Sequence, residues 1–134
     1  AEIISAGVSS LGNNTGLGGH SIFLGQVRSD MKGHKKVKAI EYSAYEEMVK
    51  KEAGIITKAI LNEYNDVNSI YILHSTGIVL AGEISLMVLV SAGHRHHAMA
   101  ACAKTVELIK EKLPVWKKEI FEDNTHEWVH DKHA

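Results

Sequence analysis

The sequence predicts an α+β fold in which two helices pack on a mainly antiparallel sheet. Short apolar stretches with strand periodicity alternate with two long stretches of helical periodicity. The first two strand patterns follow one another directly, and a proline ends the second helical pattern. Because hairpins combined with helical crossovers are typical of α+β domains, the predicted order is β-β-α-β-β-α-β.

The first half of the chain contains two predicted strands and a helix. Ser21–Arg28 has the composition of a strand, with Gly25 as a candidate bulge. Val37–Tyr45 alternates with a period of two, so we expect the two segments to form a long hairpin. Glu46–Tyr64 follows as a helix with one apolar stripe. The stripe consists of Val49, Ala53, Ile56, Ile60 and Tyr64.

Two further strands are predicted before the second helix. Ser69–His74 is expected to be a short buried strand, and Thr76–Glu83 a turn because it contains two glycines. Ile84–Ser91 is almost entirely apolar, as expected for a central strand that is covered on both faces.

The second helix is predicted at His96–Lys112 and is stopped by Pro114, after which Val115–Phe121 forms a last strand. Cys102 lies on the apolar stripe of this helix, where a thiol has a raised pKa and is unreactive. We therefore expect Cys102 to be structural, and any sulfur that the protein handles to come from another molecule. The stripe consists of Ala98, Cys102, Val106, Ile109 and Leu113.

Composition limits the classes of function. The chain has 134 residues, a net charge of −1 and one cysteine. A neutral chain has no general basic field for nucleic acid or membrane surfaces. No apolar run approaches the roughly 20 residues of a membrane span, and the first residues do not resemble a signal peptide. The lone cysteine fits a cytoplasmic protein.

Residues 1–18 are predicted to form a flexible arm, and residues 19–134 a single domain. Glycine and asparagine dominate Ser9–Gly19. A phosphate-binding P-loop is a poor interpretation of this segment, because the lysine and hydroxyl residues that such a loop needs do not follow it.

Ser91–His97 is a candidate anion site between a strand and a helix. Backbone N–H groups and the helix dipole favour anions at such a turn. Arg95 adds a guanidinium suited to phosphate, and His94 can donate a hydrogen bond or transfer a proton. A solvated helix start and a metal site formed by His94, His96, His97 and the C-terminal histidines are the alternative interpretations.

Lys110 and Lys117 lie on either side of Pro114, and the reversal of the chain there can direct both amines into one pocket. Trp116 could shield that pocket or stack on a flat ring. Arg28 ends the first strand, a position at which functional residues often collect. A solvated lysine-rich surface is the alternative.

Four ordered motifs resemble one known family, the large subunit of molybdopterin synthase. Phe23–Asp30 is similar to its F-x-G-x-V-R strand end, and Glu41–Met48 to its E-Y-x-x-Y-x-x-M segment. Ser91–Arg95 resembles its S-x-x-H-R turn, and Lys110–Glu119 its K-x-x-x-P-x-W-K-[KR]-E signature. The resemblance extends from about residue 19 to residue 128.

The resemblance implies an α/β hammerhead-type fold and a sulfurtransferase without a bound cofactor or metal. The implied reaction moves sulfur from the C-terminal Gly-Gly thiocarboxylate of a small ubiquitin-like carrier subunit to cyclic pyranopterin monophosphate, forming molybdopterin. The implied assembly is a heterotetramer built on a homodimer of large subunits. Lys110 and Lys117 are the implied catalytic residues. The implied substrate-binding residues are Arg28, His94, Arg95 and, from a neighbouring subunit, Lys132.

The first 18 residues are shorter and richer in glycine than the corresponding part of that family. The main alternative function is a non-enzymatic module that binds a phosphorylated metabolite in the same basic pocket.

Overall fold

The computed structural model describes residues 14–129. Ten elements follow one another in that part of the chain. The helices are α1 (Glu46–Glu63) and α2 (Arg95–Lys112). The strands are β1 (Gly19–Gln26), β2 (Met31–Lys32), β3 (Lys35–Ala44), β4 (Val67–His74), β5 (Gly77–Leu80), β6 (Ile84–Ala92), β7 (Val115–Phe121) and β8 (His126–Trp128).

One sheet has three antiparallel strands in the order β1-β6-β4. The predicted central strand is confirmed, because every residue of β6 after Ile84 is buried. The prediction that Ser69–His74 is a buried strand is only half right. In β4, Tyr71 and Leu73 are 48% and 38% exposed, because side chains of an outer strand alternate between the core and the free face.

The second sheet contains β2, β3, β7 and β8 in that order, with β5 paired to β3. The predicted hairpin between the first two strand patterns is therefore wrong, since β1 pairs with β6, and β3 with β7 and β5. The short strand β2 turns back on β3 at Gly33, whose φ of 65° is left-handed. In this local hairpin β2 pairs with β3, whereas β1 belongs to the other sheet.

The segment predicted as a turn contains β5. Gly77 and Gly82 have positive φ, as turn residues do, but the four residues from Gly77 pair with β3. The two glycines correctly predicted two bends in this segment, but they gave no indication of the short strand between the bends.

The helices cover one face of the β1-β6-β4 sheet and form the main core with it. In α1, Ile56 and Ile60 are almost fully buried, and all five stripe residues predicted for the second helix are buried. Burial of one such Ile side chain contributes about 1.5–3 kcal/mol. Both predicted helices and their stripes are confirmed. Cys102 is buried against β6, and burial raises the pKa of its thiol, as expected.

Most of the predicted arm lies outside the described residues. Of its described part, Gly18 donates a backbone hydrogen bond of 3.0 Å to the carbonyl of Ala92. A Cβ on Gly19 would lie 2.9 Å from the Cα of Arg95, so glycine is needed where the chain enters β1. Within residues 14–129, no helix is long and apolar enough to cross a membrane.

Candidate active site

A cavity of about 510 Å³ lies where both sheets meet the C-terminal end of α2. Its walls come from β1, β2, β3, β4, β6, α2 and β7. Phe23, Ile109 and Leu113 contribute apolar surface, whereas four cationic side chains contribute positive charge. These cations are Arg28, Lys32, Lys110 and Lys117.

The reversal at Pro114 brings the two predicted lysines into this one cavity. Lys110 lies in the last turn of α2, and Leu113 is already extended, so β7 begins at Val115. Alternation along β7 then points Val115, Lys117 and Glu119 into the cavity.

The same alternation turns Trp116 away from the cavity. Trp116 is 48% exposed and packs edge-to-face against Tyr45 at 6.1 Å, and it is not part of the cavity wall. The expectation that it shields the pocket or stacks on a ligand there is wrong for this chain's own cavity. One position along a strand is enough to move a side chain to the opposite face.

Two of the four cations in the cavity are paired with carboxylates. Lys32 Nζ lies 2.7 Å from Oε1 of the buried Glu119, and Arg28 lies 3.4 Å from Asp30 at the rim. Within residues 14–129, neither Lys110 nor Lys117 has a carboxylate within 4.0 Å. The two lysines therefore carry the positive charge that is left for an anionic ligand.

Lys117 differs from an ordinary surface lysine. Burial lowers its pKa, and repulsion from Lys110 lowers it further, while attraction to Glu119 acts in the opposite direction. The ammonium therefore gives up a proton more readily than an exposed one, which suits a group that transfers protons as well as binding an anion.

His74 and Tyr42 also line the cavity. Tyr42 belongs to the Glu41–Met48 motif but had no assigned role, and none of the sequence patterns included His74. Tyr42 lies opposite Lys117 in the β3–β7 ladder, and its ring meets the His74 imidazole edge-on at 5.0 Å. A single histidine at the end of an apolar strand gives no specific signal. The only available hint was that polar residues at strand ends often belong to sites.

His94 and Arg95 lie at the opposite end of α2, and they do not line the cavity. Arg95 and Lys110 are 15 residues apart on one helix, which separates them by about 22 Å along its axis. Within one chain, the structure thus unites Arg28, Lys110 and Lys117 but not the other two residues. The site residues implied by the resemblance therefore do not all line one cavity of a single chain.

Asp66 organises that opposite end. One of its carboxylate oxygens accepts a hydrogen bond from the backbone N–H of His94 at 3.0 Å, and the other lies 2.6 Å from Nδ1 of His97. Desolvation raises the pKa of Asp66, but hydrogen bonds from His97 and His94 outweigh it, so the pKa lies below its ordinary value. The carboxylate therefore stays ionised and fixes both rings.

No group of three metal-ligating side chains is found within residues 14–129. His94 and His97 both contact Asp66. Some of the C-terminal histidines of the metal hypothesis lie outside the described residues, and so does Lys132. The described part of the chain gives the metal interpretation no support.

Comparison with known proteins identifies the family. The sequence model of the MoaE protein family matches residues 2–112. A molybdopterin synthase catalytic subunit from Dictyostelium discoideum is 41% identical over 113 residues, covering 83% of this chain and 71% of that protein. Its counterpart from Pyrococcus abyssi is 38% identical, covering 93% and 83%.

The chain belongs to the MoaE family.

A solved structure leads to the same family. The crystal structure of molybdopterin synthase from Staphylococcus aureus matches with a TM-score of 0.81 and 34% identity, covering 87% of this chain and 82% of that one. This chain spans about a third of the length of several Drosophila relatives, for example 32% of the one from Drosophila willistoni. The fold and family expected from the four motifs are confirmed.

The MoaE match includes most of the cavity. Lys110 and His74 lie within the matched residues 2–112, and Lys117 lies just beyond them. The relatives from Dictyostelium discoideum and Pyrococcus abyssi are both named as catalytic subunits. The cavity between the two sheets is therefore the place to look for chemistry in this chain.

Proposed function

We propose that this chain is the catalytic subunit of a molybdopterin synthase. It would transfer sulfur from the C-terminal thiocarboxylate of a small ubiquitin-like carrier subunit to cyclic pyranopterin monophosphate, forming molybdopterin. One observation carries the proposal. Lys110 and Lys117 line the same cavity of about 510 Å³, and neither has a carboxylate partner within residues 14–129.

The charge in the cavity suits the carrier's tail. A thiocarboxylate is an anion, and a glycine-glycine terminus has no side chains to exclude it from a narrow space. Lys110 is the more exposed of the two lysines and would meet the incoming thiocarboxylate first. Its ammonium would hold the sulfur in place and lower the cost of bringing an anion out of water.

Lys117 would act deeper in the cavity. Its lowered pKa allows it to donate a proton to a leaving oxygen or to stabilise a thiolate as charge develops. The phosphate of the precursor would bind near Arg28, whose guanidinium is 77% exposed at the rim and lies 3.4 Å from Asp30.

The transfer needs water as well as sulfur. When the carrier's sulfur displaces an oxygen from a carbon of the precursor, the carbon–sulfur bond forms as the carbon–oxygen bond breaks, and the electron pair leaves with the oxygen. The carrier's acyl carbon is then still attached to that sulfur as a thioester. Water must then add to the acyl carbon and break its bond to sulfur. This step releases the carrier as a carboxylate and leaves a thiolate on the pterin.

His94 and Arg95 enter this proposal through a second copy of the chain. They lie about 22 Å along α2 from Lys110, so they can reach a cavity only if it belongs to a neighbour. The free face of the β1-β6-β4 sheet offers a surface for such a dimer, since Ile22, Leu24 and Tyr71 are 42–48% exposed there. Lys132 would act in trans in the same way.

The proposed assembly is a homodimer with one carrier subunit on each copy, a heterotetramer in all. A cytoplasmic location is part of the proposal, because the single cysteine, Cys102, is free and the carrier's thiocarboxylate needs a reducing compartment. Residues 19–134 would act as the single domain, with the preceding residues as an arm.

The test combines the full-length protein, a thiocarboxylated carrier and the pterin precursor, and measures dithiolene product. Wild-type protein should turn over, whereas Lys110→Ala should be about 10²–10³-fold slower, because it removes a preorganised charge from the reacting anion. Lys112→Ala is the matched control, since Lys112 is in the same helical turn but outside the cavity.

Equal rates for Lys110→Ala and wild type would contradict the assignment. Tight precursor binding by the wild-type protein without any turnover would instead favour the non-enzymatic binding module.

A further inference from the structure

His74 is a half-buried histidine in the wall of the cavity. It ends β4, and its side chain lies among residues from β3, β6 and β7. None of the four sequence motifs includes it. Burying a histidine beside two lysines is unfavourable for its charged form, so its position calls for an explanation.

One nitrogen of the His74 ring is already committed. Nδ1 lies 2.7 Å from the backbone oxygen of Ser75. A carbonyl oxygen can only accept, so Nδ1 carries the hydrogen, and in the neutral ring Nε2 carries the lone pair. Among residues 14–129 no hydrogen-bond partner occupies Nε2.

The groups around the imidazole keep it neutral. Burial lowers the pKa of His74, the hydrogen bond to Ser75 raises it, and the charges of Lys117 and Lys110 lower it again, with a net decrease from 6.5. Tyr42, which contacts the ring, has a raised pKa because of burial and stays protonated. Glu119 is the nearby carboxylate of the cavity, and Lys32 pairs with it.

We propose that Nε2 of His74 is the proton acceptor for the water that releases the carrier subunit in each sulfur transfer. The inference rests on the proposed function and adds a catalytic residue to it. Two observations carry the inference: the fixed tautomer leaves a basic nitrogen free, and that nitrogen belongs to a side chain in the same cavity as Lys110 and Lys117.

The step balances without an oxidant or reductant. The water oxygen bonds to the acyl carbon of the thioester, and one water proton moves to Nε2. The carbon–sulfur bond breaks, and its electron pair stays on sulfur as a thiolate beside the Lys110 and Lys117 ammonium groups. The new carboxylic acid loses its proton to solvent and leaves as carboxylate. The imidazolium then returns its proton to solvent.

The test is a single-turnover reaction of the full-length protein with thiocarboxylated carrier and precursor, followed by intact-mass analysis. His74→Gln has an amide that cannot take up a proton, and His74→Asn keeps a donor where Nδ1 was. In both variants we expect carrier release to slow about 10²-fold, with the carrier–pterin thioester accumulating as a covalent adduct. His126→Gln, outside the cavity, is the matched control.

The pH dependence gives a second readout. Release by the wild-type protein should fall on the acid side with a midpoint below 6.5, because only neutral His74 accepts a proton. The variants should lack this acid limb. A purely structural role would change stability without removing the limb, and if one variant does not fold, the other decides.

Each result has a separate meaning. Wild-type protein that forms no product would overturn the proposed function itself. Wild-type turnover together with normal carrier release, no adduct and an unchanged acid limb in a folded His74 variant would overturn the His74 assignment alone.

Discussion

The two ends of α2 differ in the charged groups that surround them. At the N-terminal end, Asp66 holds His94 and His97 through its carboxylate. At the C-terminal end, Lys110 and Lys117 lie in a cavity without a carboxylate of their own within residues 14–129. The same helix thus begins beside a cluster that contains a carboxylate and ends at a cavity with unbalanced positive charge.

This difference suggests that the two ends of α2 have different roles, one in catalysis and one in positioning side chains. A carboxylate already occupies the cluster at the N-terminal end, whereas a cation without a partner in a partly buried cavity gains much from an added anion. The C-terminal end is therefore suited to a reacting anion. The N-terminal end, with its rings fixed by Asp66, is suited to presenting His94 and Arg95 to another molecule.

The largest expected effect is on catalysis at the C-terminal end. Lys117→Ala should reduce sulfur transfer about 10²–10³-fold, because it removes a buried charge from the developing thiolate. The control is Lys118→Ala, whose side chain lies on the other face of β7 against Glu41. Rates of product formation under single-turnover conditions test the predicted difference between the two variants. If the two variants react equally fast, the distinction between the two faces of β7 has no catalytic meaning.

Complementation should show whether the two ends of α2 act in the same site. Arg95→Ala and Lys110→Ala should each be impaired alone. When the two variants are mixed and form dimers at random, about half of the dimers contain one copy of each. One of the two shared sites in such a dimer is intact, so about a quarter of wild-type activity should return. The assay is product formation after joint refolding. Activity that stays at the level of the separate variants would show that Arg95 of one copy and Lys110 of the other do not form one site.

Stability should distinguish the buried from the exposed side of the helix. Ile109 is 4% exposed beneath Lys110 and lines the cavity, so Ile109→Ala should lower the free energy of unfolding by about 2–5 kcal/mol. Met99, near the N-terminal end, is 54% exposed, and Met99→Ala should change it by about 0.5 kcal/mol or less. Urea unfolding gives both values, and similar losses would mean that α2 is not packed as described.

The smallest effect concerns pH at the N-terminal end. The pKa of Asp66 is lower in the folded protein than in the unfolded chain, so its contribution to stability is present above the unfolded value of about 3.9 and disappears as pH falls through the folded value. Asp66→Asn should remove that dependence, and Glu107→Gln should leave it intact. Unfolding midpoints between pH 2 and 6 test this. An identical pH profile for Asp66→Asn and wild type would show that the cluster does not hold the carboxylate ionised.

The sequence predicted local features better than distant pairings. Both helices and their stripes were recognised, because helical periodicity depends on neighbours within one or two turns. The strand predicted to pair with β1 was wrong, because alternation indicates that a segment is a strand but not which other strand it pairs with. The convergence of Lys110 and Lys117 followed from one local event, the reversal at Pro114.

The errors about the site have physical causes. The 15 helical residues between Arg95 and Lys110 separate them by about 22 Å, so the sequence itself argues against one cavity of a single chain that contains both. Trp116 lies outside the cavity because side chains alternate along β7, which turns every second residue to the opposite face. His74 was missed because its importance depends on Tyr42, Lys110 and Lys117, which come from three other elements.

The most direct test of the central claim is a crystal structure of the complex with the thiocarboxylated carrier. The account predicts the terminal sulfur inside the cavity, within about 3.5 Å of Nζ of Lys110 or Lys117. A carrier tail bound outside the cavity, with both ammonium groups facing solvent, would contradict it.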